Sequence, residues 1–223
     1  MESISLAIVI PAYNEESSIG NVVREIFSVL DIDFKIVVVS DYSSDNTSII
    51  ASNAGALVLD LKENHGYGGA LNQGFQYVRD NIRPKYILTM DADGQHDPRD
   101  IQPMYSSAIA NNFDLVVGKR PSSARFAEKL FAIYYQYKFN IADPLSGMKL
   151  YKADIYDEYS TFENFDSIGT ELLTSTLLLG GKTGQVSINI RDRVGTSPRF
   201  GSIWNANKRI FLALIRSIYR IHM

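Results

Sequence analysis

Through the first half of the chain, short apolar runs alternate with segments whose apolar residues recur every three or four positions. Leu6–Ile10 reads as a strand stopped by Pro11, and Ser17–Leu30 as a helix with Ile19, Val22, Val23, Ile26 and Leu30 at core-facing spacing. Phe34–Val39 is a second strand, Asp45 an N-cap for a short helix through Asn53, and Ala56–Leu61 a third strand. A Gly-rich loop then leads into a helix ending near Asp80, and Tyr86–Met90 forms the fourth strand. Asp97-Pro98, a cap followed by proline at the first helical position, opens a helix to Asn112, and Leu115–Gly118 is the fifth strand. After Lys119 the pattern changes. A helix near Ser123–Asn140 sets Phe126, Leu130, Ile133, Tyr134 and Tyr137 on one face. A loop at Asp143–Gly147, a strand Lys149–Tyr151, a helix Gly169–Leu179, a strand Gln185–Ile190 and a long helix from about Ser202 follow. Strands alternating with helices predict an α/β domain with a mostly parallel sheet and right-handed crossovers.

In a parallel sheet the loops that follow the strands share one edge, where ligands of open α/β sheets bind. Four polar clusters fall there: Pro11–Glu16, Ser40–Asp45, Asn64–Asn72 and Asp91–His96. In the last of these, two carboxylates one residue apart, Asp91 and Asp93, end an apolar run, and a period of two lets them project the same way. Such a pair suits a hard divalent cation completed by water and phosphate oxygens. A solvated Asp-rich turn is the alternative on spacing alone, as plain helix capping is for Asp45.

The 223 residues, 45% hydrophobic and 21% charged, suit one large domain with a real core. With no cysteine, disulfide frameworks and thiolate sites are excluded. No apolar run approaches membrane-spanning length, and a strand-like segment starts almost at once, which predicts a cytoplasmic protein. The net charge of −3 hides an asymmetry: from Lys182 onward eight Lys/Arg face one acid, +7, which leaves −10 on the rest. A basic end on an acidic body fits an anionic partner. A phosphorylated substrate or anionic lipid fits better than nucleic acid, because no stacked aromatic–basic pattern or nucleic-acid motif is present.

With these residues in view the chain resembles the family 2 glycosyltransferases of GT-A (Rossmann-like) fold. The resemblance rests on Ile10-Pro11-Ala12-Tyr13-Asn14-Glu15, the acidic turn Asp41–Asp45, and Asp91-Ala92-Asp93, and covers about residues 4–180. Within the family it is most similar to polyprenyl-phosphate sugar transferases such as dolichol-phosphate mannose synthase, on Asp91–Pro98, Gly118-Lys119-Arg120 and Asp143–Leu150. It implies a metal-dependent, inverting transfer from a nucleoside diphosphate sugar to a polyprenyl phosphate or a lipid-linked or saccharide acceptor. It further implies that Pro11, Ala12, Tyr13, Asn14 and Glu15 hold base and ribose and that Asp41 contacts the nucleoside. Asp91, Ala92 and Asp93 would lie at the diphosphate, the two acids binding Mg²⁺ or Mn²⁺ with Gln95 adding a neutral oxygen. Two departures stand out: Ser40 where many members carry an acid, and Tyr42 in place of a usual glycine.

Further residues are candidates for phosphate or for the acceptor. Arg120 follows a strand end, whereas Arg125 and Lys129 read equally as solvated helix charges. Arg191, Arg193 and Arg199 belong to a basic Gly/Ser-containing segment that in similar transferases closes over diphosphate, and Arg suits bidentate phosphate recognition. Asp143 is a turn residue or, by the resemblance, the base that accepts a sugar hydroxyl proton; Glu171 is the rival base, or simply a favourable charge at a helix N-terminus. Gly66–Gly74 offers either phosphate contact or a tight turn, and His96 reads as a loop residue beside the site rather than a metal ligand.

We read residues 1–201 as the transferase domain and 202–223 as an amphipathic basic helix. At about 100° per residue Arg209, Arg216 and Arg220 share one side of that helix, opposite Phe211, Leu214, Ile215 and Ile218. Three roles are open for it: packing on the domain, a homo-oligomer contact, or peripheral binding to the inner face of the cell membrane. Two rival functions share the fold: a nucleotidyltransferase, whose basic Gly-rich loop is replaced here by Pro-Ala-Tyr-Asn-Glu, and a non-catalytic nucleotide-sugar-binding protein, which would be expected to lack the acid pair.

Overall fold

The computed structural model describes residues 4–121, 125–163, 169–193 and 203–222, with side chains of the last stretch from 207 onward. Seven strands form one sheet: β1 (Leu6–Ala12), β2 (Phe34–Ser40), β3 (Leu57–Asp60), β4 (Tyr86–Thr89), β5 (Leu115–Lys119), β6 (Lys149–Lys152) and β7 (Thr183–Ser187), in the order β3-β2-β1-β4-β6-β5-β7. The strands pair in parallel except at β6, which lies antiparallel between β4 and β5. β6 is the element that the alternation of strand and helix did not orient. Because it runs backwards, its N-terminal end meets the C-terminal ends of β4 and β5, with Lys149 beside Thr89 and Val117.

Helices cover both faces. α1 (Ile19–Val29), α2 (Thr47–Asn53) and α4 (Ile101–Asn111, entered through a 3-10 turn at Pro98–Asp100) pack on one, where Leu6, Ile8 and Ile10 meet Ile19, Ile26 and Met104. α3 (Gly66–Asn81), α5 (Phe126–Phe139), α6 (Ala153–Tyr159), α7 (Glu171–Leu178) and α8 (Ile203–His222) pack on the other, where Ala7 and Val9 meet Phe75, Tyr151 and Leu173. Alternation along each central strand feeds both cores, as expected of a buried strand between two helical layers.

Several expectations shift in detail. The Gly-rich segment is not a loop; it is the first turns of α3. Gly74 explains why a glycine sits inside that helix: a Cβ there would lie 2.4 Å from Val9 Cγ1, so its absence lets α3 settle onto the sheet. Asp45 precedes the cap position, which is Asn46, although its carboxylate still accepts the Thr47 N–H at 3.0 Å. Asp97 caps as expected, accepting the Arg99 N–H at 3.0 Å. On α5 the buried residues are Ala127, Glu128, Phe131 and Tyr135, while Phe126, Ile133 and Tyr137 of the predicted apolar face are exposed. α8 packs through Ile210, Ala213, Leu214 and Ser217, so the predicted apolar arc is split: Leu214 is buried, whereas Phe211 and Ile215 are about half exposed. No helix among the described residues is long and apolar enough to cross a membrane.

Candidate active site at the strand ends

The C-terminal ends of β1, β2, β4 and β5 and the N-terminal end of β6 converge on one edge, and the candidate residues are held there by specific bonds. The loops after β1 and β2 are zipped together. Asn14 takes a left-handed backbone (φ 52°), and its Oδ1 accepts the Ser44 N–H at 2.8 Å while its own N–H donates to Ser43 Oγ at 3.1 Å. Glu15 N–H donates to Thr47 Oγ1 at 2.8 Å, and Glu16 Oε2 accepts from the Asn46 N–H and side chain at 3.1 and 3.0 Å. Ala12 accepts the Asp41 N–H at 2.8 Å, Pro11 lies in register with Val39, and Tyr13 is half exposed above this frame.

The two departures at β2 now have a physical reading. Ser40 and Asp41 alternate in direction. Ser40 Oγ accepts from Ser48 Oγ on α2 at 2.8 Å, whereas the buried Asp41 carboxylate accepts the His65 N–H at 2.7 Å where α3 begins. The serine therefore replaces an acid on the side away from Asp41. Tyr42 holds φ 61°, a backbone region that favours glycine, and its ring is 59% exposed, so it does not fill a buried pocket.

After β4, Asp91, Ala92 and Asp93 form the turn. Asp93 is buried; its Oδ1 accepts the Gln95 N–H at 3.1 Å, and Arg193 Nε stands 3.8 Å from Oδ2. Asp91 Oδ1 is a buried carboxylate oxygen with no hydrogen-bond partner. A bare, buried anionic oxygen is costly unless a cation or donor meets it. This fits the divalent cation inferred from the pair, and the donor set of carboxylates, the Gln95 amide oxygen and phosphate oxygens suits Mg²⁺ or Mn²⁺. Among the described residues no three His, Cys, Asp or Glu side chains converge as a closed metal cage. His96 Nδ1 accepts the Asp91 N–H at 3.2 Å, so its 3.9 Å approach to Asp91 Oδ2 is not an ion pair, and His96 braces the turn as expected.

The cations do not all face the site. Arg120 makes a bidentate pair with Asp143, Nε to Oδ2 at 2.7 Å and Nη2 to Oδ1 at 2.8 Å, and its backbone N–H reaches Oδ2 as well. Both oxygens of the candidate base Asp143 are thereby occupied. Glu171, the rival candidate base, is also paired: Arg220 of α8 meets its Oε1 at 2.6 Å. Arg191 grips Glu25 of α1 with two 2.7 Å bonds and reaches Asp97 at 2.6 Å, which ties the arm after β7 to α1 and to the entry to α4. Arg193 does reach the crevice, where Nη2 meets Glu15 Oε1 at 3.0 Å. Arg125 pairs with Glu128 at 2.9 Å, and Lys129 is exposed. Arg199 and the Gly/Ser segment around it lie outside the described residues.

Two residues escaped the sequence reading. Lys149 at the start of β6 is buried, its ammonium donating to the carbonyls of Ser146 and Gly169. Burial pushes it down to about 8, the Arg120 charge adding to this, while Asp143, Asp91 and Glu163 pull the other way. Tyr67, in the first turn of α3, is held well above its ordinary range by burial and by the charges of Asp91 and Glu163. Tyr67 lies in the Asn64–Asn72 cluster and Lys149 in the Asp143–Leu150 stretch, where neighbouring residues drew the reading; only the reversal of β6 and the seating of α3 bring these two side chains to this edge.

This arrangement of a mostly parallel sheet, with zipped strand-end loops and an acid pair beside arginines at one edge, is a GT-A fold. The family described as Glycosyl transferase family 2 matches residues 7–125, and the chain belongs to it. It is 30% identical over 200 residues to a dolichyl-phosphate hexose transferase of Haloferax volcanii, covering 85% of this chain and 84% of that protein. It is likewise 30% identical over 179 residues to an undecaprenyl-phosphate 4-deoxy-4-formamido-L-arabinose transferase of Pseudomonas fluorescens, covering 70% of this chain. The match spans about half (51%) of the length of that relative, and 45% of another, from Methanocaldococcus jannaschii. In structure it resembles glucosyl-3-phosphoglycerate synthase of Mycobacterium tuberculosis, solved with Mn²⁺, UDP and glucosyl-3-phosphoglycerate, at TM-score 0.73 and 20% identity, covering 96% of this chain and 80% of that one. The protein is therefore a glycosyltransferase with the GT-A fold.

Proposed function

We propose that this transferase moves a hexose from a nucleoside diphosphate sugar to a polyprenyl phosphate, using Mg²⁺ or Mn²⁺ held by Asp91 and Asp93. The carrying observation is the unpartnered, buried Asp91 Oδ1 next to Asp93 at the end of β4. Bound there with Gln95, a divalent ion would neutralise charge on the departing nucleoside diphosphate. Asp41 and the loop from Pro11 to Glu15 hold the nucleoside, and Arg193 supplies a fixed positive charge between Glu15 and Asp93. Arg120, oriented by Asp143, offers a second cation beside the acceptor.

The engagement of both candidate bases supports the lipid phosphate over a sugar hydroxyl. Protonating Asp143 would break the Arg120 pair, and Glu171 is held by Arg220. A phosphate oxygen is already anionic and needs no base to attack the anomeric carbon, opposite the leaving diphosphate, with inversion. The names of the Haloferax and Pseudomonas relatives point to the same acceptor class.

A thermal-shift screen against UDP-, GDP- and dTDP-sugars with Mn²⁺ identifies the donor, because a ligand that binds only the folded state raises the midpoint. Transfer is then measured to a short-chain polyprenyl phosphate, to the matching alcohol and to free sugars. Transfer to the phosphate alone is the expected result; equal transfer to the alcohol or to a sugar overturns the acceptor.

A further inference from the structure

Tyr42 holds a backbone conformation that its own side chain disfavours, at φ 61°. In the left-handed region a Cβ crowds the following carbonyl, so glycine, asparagine and aspartate enter it most readily. Elsewhere in the described chain this conformation has an ordinary use. Asn112, Asn140 and Ser160 take it to close α4, α5 and α6. Tyr42 closes no helix; it stands just beyond the end of β2, on the edge where the candidate site lies. Glycine holds such a turn without strain, so the turn itself does not call for a tyrosine. A residue kept against its own backbone preference at a ligand-binding edge points to a task for its side chain.

Two bonds across the loops fix where that ring starts. Asp41 N–H donates to the Ala12 carbonyl at 2.8 Å, and two residues further along Asn14 N–H donates to Ser43 Oγ at 3.1 Å. Tyr13 and Tyr42 are the residues enclosed between these bonds, one on each loop. Their backbones therefore stand one strand spacing, about 5 Å, apart. Both side chains are open to solvent, Tyr13 at 47% and Tyr42 at 59%. Among the described residues neither makes a side-chain hydrogen bond or a ring contact. The residue beside Tyr42 in the chain is the buried Asp41, whose carboxylate is held by the start of α3. Two open aromatic rings and a fixed carboxylate thus gather where β1 and β2 end. A planar heteroaromatic base uses both: its face stacks on a ring, and its N–H edge donates to a carboxylate. An aliphatic chain would instead need a continuous apolar groove, whereas Ser43, Ser44 and Asp45 follow Tyr42 directly.

We propose that Tyr42 is a nucleobase-binding residue: beside Tyr13 it widens the aromatic surface on which the base of the nucleoside diphosphate stacks. This rests on the nucleoside diphosphate donor proposed above. It adds that this chain contacts the base through a ring at a position where glycine is usual in the family. Stacking tolerates any base, because every base has a π face. The rings therefore supply affinity, and discrimination between bases falls to polar groups such as Asp41.

The test uses the full chain and three Tyr42 variants, titrated calorimetrically in Mn²⁺ with UDP, GDP, dTDP and inorganic pyrophosphate, alongside denaturant unfolding of each. Tyr42→Gly removes the ring and the strain together. It should unfold at the parental midpoint or above it. It should bind the nucleotide that the parent binds most tightly about tenfold more weakly, the loss of one base–aromatic stack, while its pyrophosphate affinity stays parental. Tyr42→Phe keeps the ring and should bind that nucleotide as the parent does. Tyr42→Asn removes the ring but holds a left-handed turn more firmly than glycine, and should lose as much as Tyr42→Gly. Parental nucleotide affinity in Tyr42→Gly, or equal losses for nucleotide and pyrophosphate, overturns the proposal. So does parental affinity in Tyr42→Asn, which would assign the loss in the glycine variant to a looser loop, or a tenfold loss in Tyr42→Phe, which would assign it to the hydroxyl. A parent that binds none of the three nucleotides overturns the donor reading together with this one. A parent that binds one of them while the variants match it overturns the role of Tyr42 alone.

Discussion

Gly147 stands against the Asp91 carboxylate so closely that a Cβ added to it would lie 2.5 Å from Oδ2 and 2.9 Å from Oδ1. The loop before β6 can pass the acid pair only because this position has no side chain. Gly147→Ala should therefore move the carboxylate while leaving the fold intact. A shift approaching 1 Å at a reacting site lowers rate by roughly 100-fold. We expect that order of loss in metal-dependent transfer, with weaker Mn²⁺ binding by calorimetry and a thermal midpoint near that of the parent. Parental Mn²⁺ affinity in the variant would show that Asp91 is not the ligand.

Asp91→Asn and Asp93→Asn should separate stability from activity. Asp91 Oδ1 has no hydrogen-bond partner to lose. Asp91→Asn should unfold near the parental denaturant midpoint and should still lose nearly all transfer. Asp93→Asn should lose transfer as fully. Full transfer by both variants after chelation would remove the metal from the scheme.

The strand-end chemistry was legible in the sequence because its signals are local. Apolar runs ending in Asn14-Glu15, Asp41 and Asp91–Asp93 specify strands whose loops share an edge, and Asp97-Pro98 specifies a helix start. What was not legible depends on long-range geometry. The reversal of β6 brings Lys149 and Gly147 to the crevice, and no local pattern encodes strand direction. Arg191 and Arg193 read alike as basic residues on one arm, and only the position of Glu25 on α1 assigns Arg191 to structure. The stripe Phe126, Ile133, Tyr137 obeys helical spacing perfectly well, but periodicity does not say whether an apolar face meets the core or solvent.

Asp41 carries two jobs, and substitutions should split them. Its Oδ1 accepts the His65 N–H at 2.7 Å, which ties the β2 loop to the start of α3. A hydrogen bond to a buried charged group contributes about 1.5–3 kcal/mol. Asp41→Ala should lose about that much stability and also raise KM for the donor, with kcat changed less, because a nucleoside contact is the same before and during reaction. Asp41→Asn keeps an oxygen for His65 and should recover most of the stability but not the KM. A lowered kcat at unchanged KM in both would count against nucleoside contact.

Acid should loosen the arm that follows β7. Burial alone would raise the Asp97 carboxyl, but its bonds to Arg99 and Arg191 outweigh this and hold it at about 2, against 3.8 when free. A carboxyl lowered on folding stabilises the fold above its unfolded value and loses that contribution as pH falls through the folded one. The contribution, about 2 kcal/mol, should thus be complete above roughly pH 4 and fade between 4 and 2. Denaturant titrations in chelator across that window should show the loss for the parent and a flatter slope for Asp97→Asn. Parallel slopes would assign the acid sensitivity elsewhere.

Arg191 and Arg193, two residues apart, should respond in opposite ways to truncation. Arg191 is held by both oxygens of Glu25 and by Asp97, partners on α1 and at the entry to α4, so its loss leaves Glu25 without its counter-ion and Asp97 with Arg99 alone. Arg191→Ala should cost about 2 kcal/mol of stability while nucleoside diphosphate affinity stays within a fewfold of the parent. Arg193 instead spans Glu15 and Asp93, the nucleoside loop and the acid pair, at 3.0 and 3.8 Å. A diphosphate arriving between those elements meets a guanidinium already oriented by Glu15. Arg193→Ala should weaken UDP or GDP binding about tenfold, the equivalent of about 1.4 kcal/mol, with little change in thermal midpoint. Arg193→Lys should recover only part of it, because an ammonium cannot make the fork contact of a guanidinium. Calorimetric titration of product nucleotide with Mn²⁺, alongside denaturant unfolding of each variant, gives both axes. If Arg191→Ala loses nucleotide binding at unchanged stability while Arg193→Ala does the reverse, the assignment of the two arginines is inverted.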